Sequence, residues 1–176
     1  NVTAPVMTGA SVTLPITTKS PSGIVVPNPD NLSYECSSGS GKGSVYTAGM
    51  QAGTAELKIT RGELETSCTV QVAAPDRIVL QRADTGETVS DSMLYLSAGA
   101  VLDLTASAWA GDTQLTAQDS AFTWHCDSAL GTISHDGVFT ASAEETDLDG
   151  VITVSCGNVE ASVSVLVAAV QTDEVT

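Results

Sequence analysis

The sequence is poor in positive charge, in aromatic side chains and in long apolar runs. Six lysines and arginines stand against 21 aspartates and glutamates, which gives a formal net charge of -15. A nucleic-acid-binding surface needs basic side chains that neutralise phosphates, so this shortage excludes nucleic acid as a partner. No apolar run approaches about 18 residues, so we expect no membrane insertion. The first residues also lack the pattern of a signal peptide, so we expect a piece of a longer protein.

The negative charge is concentrated in the later part of the chain. A cut after Ala74 leaves a net charge of -1 in residues 1–74 and -14 in residues 75–176. This difference in surface chemistry indicates two modules. The sequence therefore predicts three segments: a module at 1–74 whose first strand is cut short, a module at 75–170, and a frayed tail at 171–176.

Four sequence blocks recur in the same order in both modules, which indicates a tandem repeat of one unit. The matched blocks are 32–36 with 122–126, 44–48 with 137–141, 53–57 with 150–154, and 68–72 with 163–167. Apolar and polar residues alternate over short stretches between glycine-containing turns. This pattern predicts an all-β sandwich or barrel of short antiparallel strands with no true helix.

Each predicted module contains two cysteines about 30 residues apart, Cys36 with Cys68 and Cys126 with Cys156. No Cys-x-x-Cys motif occurs, which excludes zinc ribbons and thioredoxin-like redox sites. We expect one disulfide in each module, which would contribute roughly 3–4 kcal/mol on the chain-entropy model. The alternative is four reduced, buried thiols. Disulfides would place the protein outside the cytoplasm.

An aromatic-x-Cys pattern, the run Asp136-Gly137-Val138-Phe139-Thr140-Ala141, a Gly-x-x-Thr-Val motif and a closing Val-x-Val resemble bacterial immunoglobulin-like domains of the group 2 type. The first module is similar at Tyr34-Glu35-Cys36, Gly53-Thr54-Ala55 and Ser67-Cys68-Thr69-Val70-Gln71-Val72. The resemblance spans residues 6–168. It implies two tandem seven-stranded immunoglobulin-like β-sandwiches from a bacterial protein that is extracellular or displayed on the cell surface.

The second module carries a further resemblance, to the tail modules of bacterial phosphodiester glycosidase family proteins. It is carried by Asp119-Ser120-Ala121-Phe122-Thr123-Trp124, Leu130-Gly131-Thr132-Ile133 and the run that begins at Asp136. This resemblance implies a catalytic domain upstream of Asn1. None of that domain's catalytic residues then lies in this chain.

The residues offer little for catalysis. His125 and His135 are the only histidines, and no further ligands complete a zinc site around them. The Gly-x-Ser-x-Gly elbow of serine hydrolases is absent. We therefore expect no enzyme activity in this chain and two exposed histidines at strand edges.

A cluster of carboxylates is the one candidate cation site. It consists of Glu144, Glu145, Asp147 and Asp149, followed by a glycine. Calcium takes six to eight oxygen ligands, so this loop could bind Ca²⁺ as the only cofactor we consider. The alternative is a solvated loop whose charges repel each other.

Two aromatic residues without a counterpart in the first repeat, Trp109 and Tyr95, are the candidates for contact with a glycan or cell wall. The alternative is that Trp109 covers one end of the sandwich.

Three functions follow from these observations. The first is a non-catalytic spacer, adhesion or presentation module whose partners are adjacent domains of its parent protein. The second is a carbohydrate- or cell-wall-binding accessory of a phosphodiester glycosidase-like enzyme. The third, an enzyme in its own right, has no constellation of residues to support it.

Overall fold

A computed structural model describes residues 4–27 and 29–169. The predicted all-β class is confirmed, because strands make up the regular structure and the only helical element in these ranges is a 3-10 turn at Asp119–Ala121. The tail predicted at 171–176 lies outside the described residues.

The chain divides into two compact units, and the division is not a single cut. The first unit comprises Asn1–Asp76 and Ala108–Gln118, and the second comprises Arg77–Ser107 and Asp119–Thr176. The segment Ala108–Gln118 therefore belongs to the second repeat in sequence and to the first unit in structure. The boundary predicted from charge, after Ala74, lies close to Asp76, where the first segment of the first unit ends. The charge pattern gave no sign that Ala108–Gln118 also belongs to the first unit.

The first unit is built mainly from the nine strands that precede residue 76. In chain order they are β1 (Val6–Met7), β2 (Ser11–Thr13), β3 (Thr17–Lys19), β4 (Val25–Pro27), β5 (Ser33–Cys36), β6 (Ser40–Lys42), β7 (Val45–Thr47), β8 (Gly53–Arg61) and β9 (Leu64–Ala73). One sheet has the order β1-β9-β8-β5 and the other β2-β7-β6, while β3 and β4 form a separate hairpin. Pro15, which lacks a backbone N–H, lies between β2 and β3 and interrupts what would otherwise be one strand.

The remaining nine strands follow residue 76. They are β10 (Arg77–Arg82), β11 (Met93–Ser97), β12 (Val101–Ala110), β13 (Thr113–Gln114), β14 (Thr123–Cys126), β15 (Gly131–Ile133), β16 (Val138–Ala141), β17 (Leu148–Cys156) and β18 (Val159–Ala168). The sheets of the second unit have the orders β10-β12-β16-β15 and β11-β18-β17-β14. These are the two sheets of an immunoglobulin-like sandwich, in which the second strand of the unit, β11, lies in parallel beside the last one.

The same pairings recur in both units, so the repeat found in the sequence is a repeat of topology. In each unit a strand near the beginning pairs in parallel with the last strand, as β1 does with β9 and β11 with β18. Among residues 4–27 and 29–76, no strand corresponds to β10. Tyr46 and Phe139 occupy equivalent positions on β7 and β16, and both are fully buried. The two cores are therefore centred on matching aromatic residues.

The segment Ala108–Gln118 closes the first unit through main-chain and side-chain bonds. Thr116 bridges the outer edge of β1: its N–H donates to the Pro5 carbonyl at 2.7 Å, and its carbonyl accepts from the Met7 N–H at 2.9 Å. Gln118 Oε1 accepts from the Ser11 N–H at 2.7 Å. Leu115, beside Thr116, is only 4% exposed. The first unit thus obtains part of its core and of its sheet edge from residues far along the chain.

We predict that Leu115→Ala destabilises the first unit by about 2–5 kcal/mol, because it leaves a cavity where a buried leucine was. Each unit contains one tryptophan, Trp109 in the first and Trp124 in the second. Urea unfolding followed by fluorescence in a Trp124→Phe background therefore reports the first unit. Leu104→Ala, at a fully buried position of the second unit, is the matched control and should leave the Trp109 transition in place. A Trp109 transition unmoved by Leu115→Ala would contradict the role of this segment.

Candidate functional site

The cysteines of the first unit lie on neighbouring strands of one sheet with a third strand between them. Cys36 on β5 is opposite Leu57 on β8, and Leu57 is opposite Cys68 on β9. Strands in a sheet are about 4.8 Å apart, so this register places the two Cα atoms about 10 Å apart. A disulfide requires a Cα separation of about 4.4–6.8 Å. The predicted bridge between Cys36 and Cys68 is therefore wrong, and both residues are thiols.

The cysteines of the second unit are separated along the strand direction. Cys126 on β14 is opposite Ile152 on β17, whereas Cys156 is the last residue of β17. At about 3.3 Å per residue, the register places them about 13 Å apart along the strands. The second predicted disulfide is also wrong, and Cys126 and Cys156 are buried thiols. Without these two bridges, disulfides no longer support an oxidising compartment for the protein.

Burial makes three of these thiols, Cys36, Cys126 and Cys156, poor nucleophiles. Burial raises the pKa of Cys36, with a smaller contribution from the neighbouring Cys68, and burial also raises the pKa of Cys156. Burial, followed by the nearby Asp127, raises the pKa of Cys126. The thiolate is the reactive form of cysteine, so raised pKa values keep these groups protonated and inert at neutral pH.

A shallow groove of about 500 Å³ lies on the first unit, across β5, β8 and β9. Side chains alternate between the faces of a sheet, so Glu35, Lys58 and Ser67, opposite one another in register, share one face. Lys58 Nζ lies 3.0 Å from Glu65 Oε2 and 4.0 Å from Glu35 Oε2. The hydrogen bond that Lys58 donates to Glu65, reinforced by the charge of that carboxylate, raises the pKa of Lys58. The amine is therefore a satisfied surface cation and not a general base.

The predicted calcium ligands are not gathered around a point. Glu144, Glu145, Asp147 and Asp149 are all exposed, and the Asp147 carboxylate accepts a hydrogen bond from the Ala169 N–H at 2.9 Å. In residues 4–27 and 29–169, no group of three or more histidine, cysteine, aspartate or glutamate side chains is placed to hold a metal ion. The geometry therefore gives the Ca²⁺ prediction no support.

The two candidate aromatic contacts have different environments. Tyr95 on β11 is 74% exposed. Trp109 is half-buried in the segment that belongs to the first unit, and its carbonyl accepts from the Asp76 N–H at 2.8 Å. Tyr95 is therefore the accessible ring of the pair, whereas Trp109 contributes to the packing of the first unit.

The histidines do not form a site. His125 is exposed on β14. His135 Nε2 lies 2.9 Å from Asp136 Oδ1, and both of these side chains are largely in solvent. They lie at the surface, as the sequence suggested.

One surface feature escaped sequence reasoning. The hairpin of β3 and β4 carries three consecutive exposed apolar residues, Ile24 (65% exposed), Val25 (50%) and Val26 (44%). We call these three residues the apolar strip. An apolar run beside Gly23 was compatible with a buried strand, and only the structure shows that nothing in the described chain covers it.

The chain is similar to several solved structures at low sequence identity. No protein-family profile matches the chain, and no curated protein matches it. Among solved structures, it is similar to domains 5–6 of the S-layer protein SbsC, with 19% identity, a TM-score of 0.37, and coverage of 97% of this chain and 95% of that one. It is also similar to the C-terminal 282-residue fragment of intimin in complex with the intimin-binding domain of its translocated receptor, with 12% identity, a TM-score of 0.34, and coverage of 93% and 61%. A protocadherin GammaB4 extracellular domain gives 13% identity, a TM-score of 0.35, and coverage of 97% and 31%.

At these identities and TM-scores the likenesses establish no activity or partner for this chain, and the fold assignment rests on its own strand order. Among the described residues, no helix has the length and apolar character needed to cross a bilayer.

We predict that four thiols titrate in denaturant without any reductant, since none of the four described cysteines is bridged. In the native protein Cys126 and Cys156 should react slowly because they are buried. Their rates should rise about tenfold per pH unit from pH 7 to 9, since a raised pKa leaves the thiolate a minor species there. Quantitative labelling with mass spectrometry checks both statements, and the same count after reductant is the control. Fewer than four titratable thiols without reductant, rising to four after reductant, would contradict the strand registers that separate the cysteines.

Proposed function

We propose that this chain is a non-catalytic structural module that spaces or presents neighbouring domains of a larger secreted or surface protein. The observation that supports the proposal is the parallel pairing of an early strand with the last strand in both units. In the first unit Val6 pairs with Val72. In the second unit the pairing is longer and runs from Met93 opposite Ser164 to Ser97 opposite Ala168.

Parallel pairing fixes the ends of the sheet at which the early strand begins and the last strand ends. Two parallel strands run in the same direction, so the beginning of the early strand and the end of the last strand lie at opposite ends of the sheet. A unit of this kind adds its own length between whatever precedes and follows it. This is the property that a spacer requires, and it is present twice in this chain.

The same pairing also determines how tension acts on a unit. Force applied between the beginning of the early strand and the end of the last strand pulls the paired strands past each other, so the ladder bonds between them are loaded together. Force applied at the open end of an antiparallel hairpin loads the bonds one after another. Each unit is therefore built to resist tension along the direction in which a tethered surface protein is pulled.

We predict that the second unit unfolds at a higher force when it is pulled between residues 93 and 169, which lie at opposite ends of the β11–β18 pairing, than when it is pulled between residues 147 and 169. Those two positions are adjacent, since the Ala169 N–H donates to Asp147, and they flank the open end of the β17–β18 hairpin. Single-molecule force spectroscopy with both attachment geometries on the same chain measures the difference. Equal forces in the two geometries would contradict the spacer proposal.

A bacterial and extracellular origin is supported by the sequence resemblance alone. The link to a phosphodiester glycosidase-like parent is also supported by sequence resemblance alone. Sequencing of the parent gene upstream of the Asn1 codon tests both.

A second candidate function is contact with a glycan or cell wall, and the observation that favours it is the exposure of Tyr95. A sugar face can stack on an exposed aromatic ring. If Tyr95 binds a glycan, retention on a glycan array should fall about tenfold in Tyr95→Ala, because stacking on an aromatic ring is a major part of such contacts. Leu64→Ala, at another exposed apolar position, is the matched control. Retention that is equal in both variants would remove this candidate.

A further inference from the structure

Thr116 bonds to the outer edge of β1 in the first unit, whereas no residue within 4–27 and 29–169 bridges the equivalent edge in the second unit. Val6 is opposite Val72 on the last strand, and Leu96 is opposite Val167. Those last-strand residues are themselves equivalent, because Cys68 and Val163 occupy the same register position in the two units. Leu96 therefore corresponds to Val6.

It follows that Tyr95 and Ser97 in the second unit correspond to Pro5 and Met7, the residues to which Thr116 bonds in the first. Among residues 4–27 and 29–169, no residue bridges the outer edge of β11 in the way that Thr116 bridges β1. The outer edge of β11 thus has no counterpart of the segment Ala108–Gln118, which binds the equivalent edge in the first unit. We call the outer edge of β11 the acceptor and the apolar strip the donor.

The chain also carries a second copy of that segment. Thr13 is opposite Val45 on β7, and Asp103 is opposite the equivalent Val138 on β16, so Thr13 and Asp103 correspond. Equal spacing along the chain then makes Lys19 correspond to Trp109.

The hairpin pairings carry the correspondence to the next strand. Lys19 pairs with Val25, and Trp109 pairs with Gln114. Val26 and Pro27 therefore correspond to Leu115 and Thr116, the two residues that seat the segment in the first unit. Leu115 is 4% exposed, whereas Val26 is 44% exposed.

We propose that the chain associates with itself through these two sites. The apolar strip of one copy binds the outer edge of β11 of a second copy. The contact is heterologous, because it joins the first unit of one copy to the second unit of another. Such a contact leaves a donor and an acceptor at the two ends of the assembly, so it adds copies head to tail without a fixed stopping point. This self-association goes beyond the spacer function and does not depend on it.

Charge favours this pairing over the symmetric one. The first unit has a net charge of -3 and the second of -12 when the residues of each are counted. An edge-to-edge contact between two copies of β11 would bring two strongly acidic units together. The head-to-tail contact brings the less acidic unit, with Lys19 on its hairpin, to the acidic one.

One residue of the donor weakens the contact in a specific way. Thr116 uses both its N–H and its carbonyl on β1. Its counterpart Pro27 has no N–H, so only the bond from the Ser97 N–H to the Pro27 carbonyl is available. Restoring the N–H should therefore strengthen the association, and this gives the proposal a gain-of-function test.

Sedimentation velocity of the chain of residues 1–176, over a concentration series, measures the association. We expect species that grow with concentration in the wild type. Val26→Ser should weaken the association about tenfold, since it removes apolar area that the contact buries. Leu64→Ser is the matched control, because Leu64 is 59% exposed on the same unit and outside the strip. It should leave the association unchanged.

Pro27→Thr should tighten the association about threefold to tenfold, the effect of one added backbone hydrogen bond. Circular dichroism and Trp109 fluorescence establish that each variant is folded. Hydrogen exchange locates the acceptor: the Ser97 amide should become protected as the wild-type concentration rises, and this protection should be lost in Val26→Ser.

A wild type that is monomeric at all concentrations would overturn the proposal. So would association that is indifferent to Val26→Ser or is not tightened by Pro27→Thr. The force measurement on single chains needs no association, so its outcome is independent of this one. A failure of self-association would therefore leave the spacer function standing.

Discussion

The long hairpin at the end of each unit is the constraint on which the other elements depend. Strands β8 and β9 are in register from Gly53 opposite Val72 to Arg61 opposite Leu64, and β17 and β18 form an equally long ladder. Alternation along these ladders directs one set of side chains into the core. The same ladders position the early strand in parallel beside the last one and keep each pair of cysteines apart. A register fixed over so many pairs leaves little freedom for the rest of the sandwich.

Much of the fold could be predicted from residue types, because alternation and turn residues act locally. The all-β class and the repeat are of this kind, and the buried aromatics Tyr46 and Phe139 lie at matched positions of that repeat. One matched block was two residues out of step: Leu57 corresponds to Ile152 and not to Val154, since each lies opposite the first cysteine of its unit. A shift of two residues leaves the inward and outward faces unchanged, so no pattern of hydrophobicity detects it.

The features that escaped prediction depend on which strands meet. Two cysteines about 30 residues apart suggest a staple, yet the bond requires a pairing that only the sheet order decides, and that order separates Cys36 from Cys68 by a whole strand. The alternation in 101–108 predicts a strand without showing that its continuation completes the first unit. Likewise, Ile24, Val25 and Val26 have the composition of core residues, and their exposure follows from the absence of a neighbour within the described chain.

The placement of Ala108–Gln118 also bears on the order of events during biosynthesis. A chain emerges from the ribosome or crosses a membrane from its N-terminus, and domains generally fold as units as they appear. The first unit cannot close its β1 edge or bury Leu115 until residue 118 has emerged, by which time β10, β11 and β12 have also been made. Release of the first sandwich in its finished form is thereby delayed until much of the second has been synthesised. A ribosome paused between the two repeats would hold an incomplete first unit, with its sheet edge exposed to chaperones or to other nascent chains.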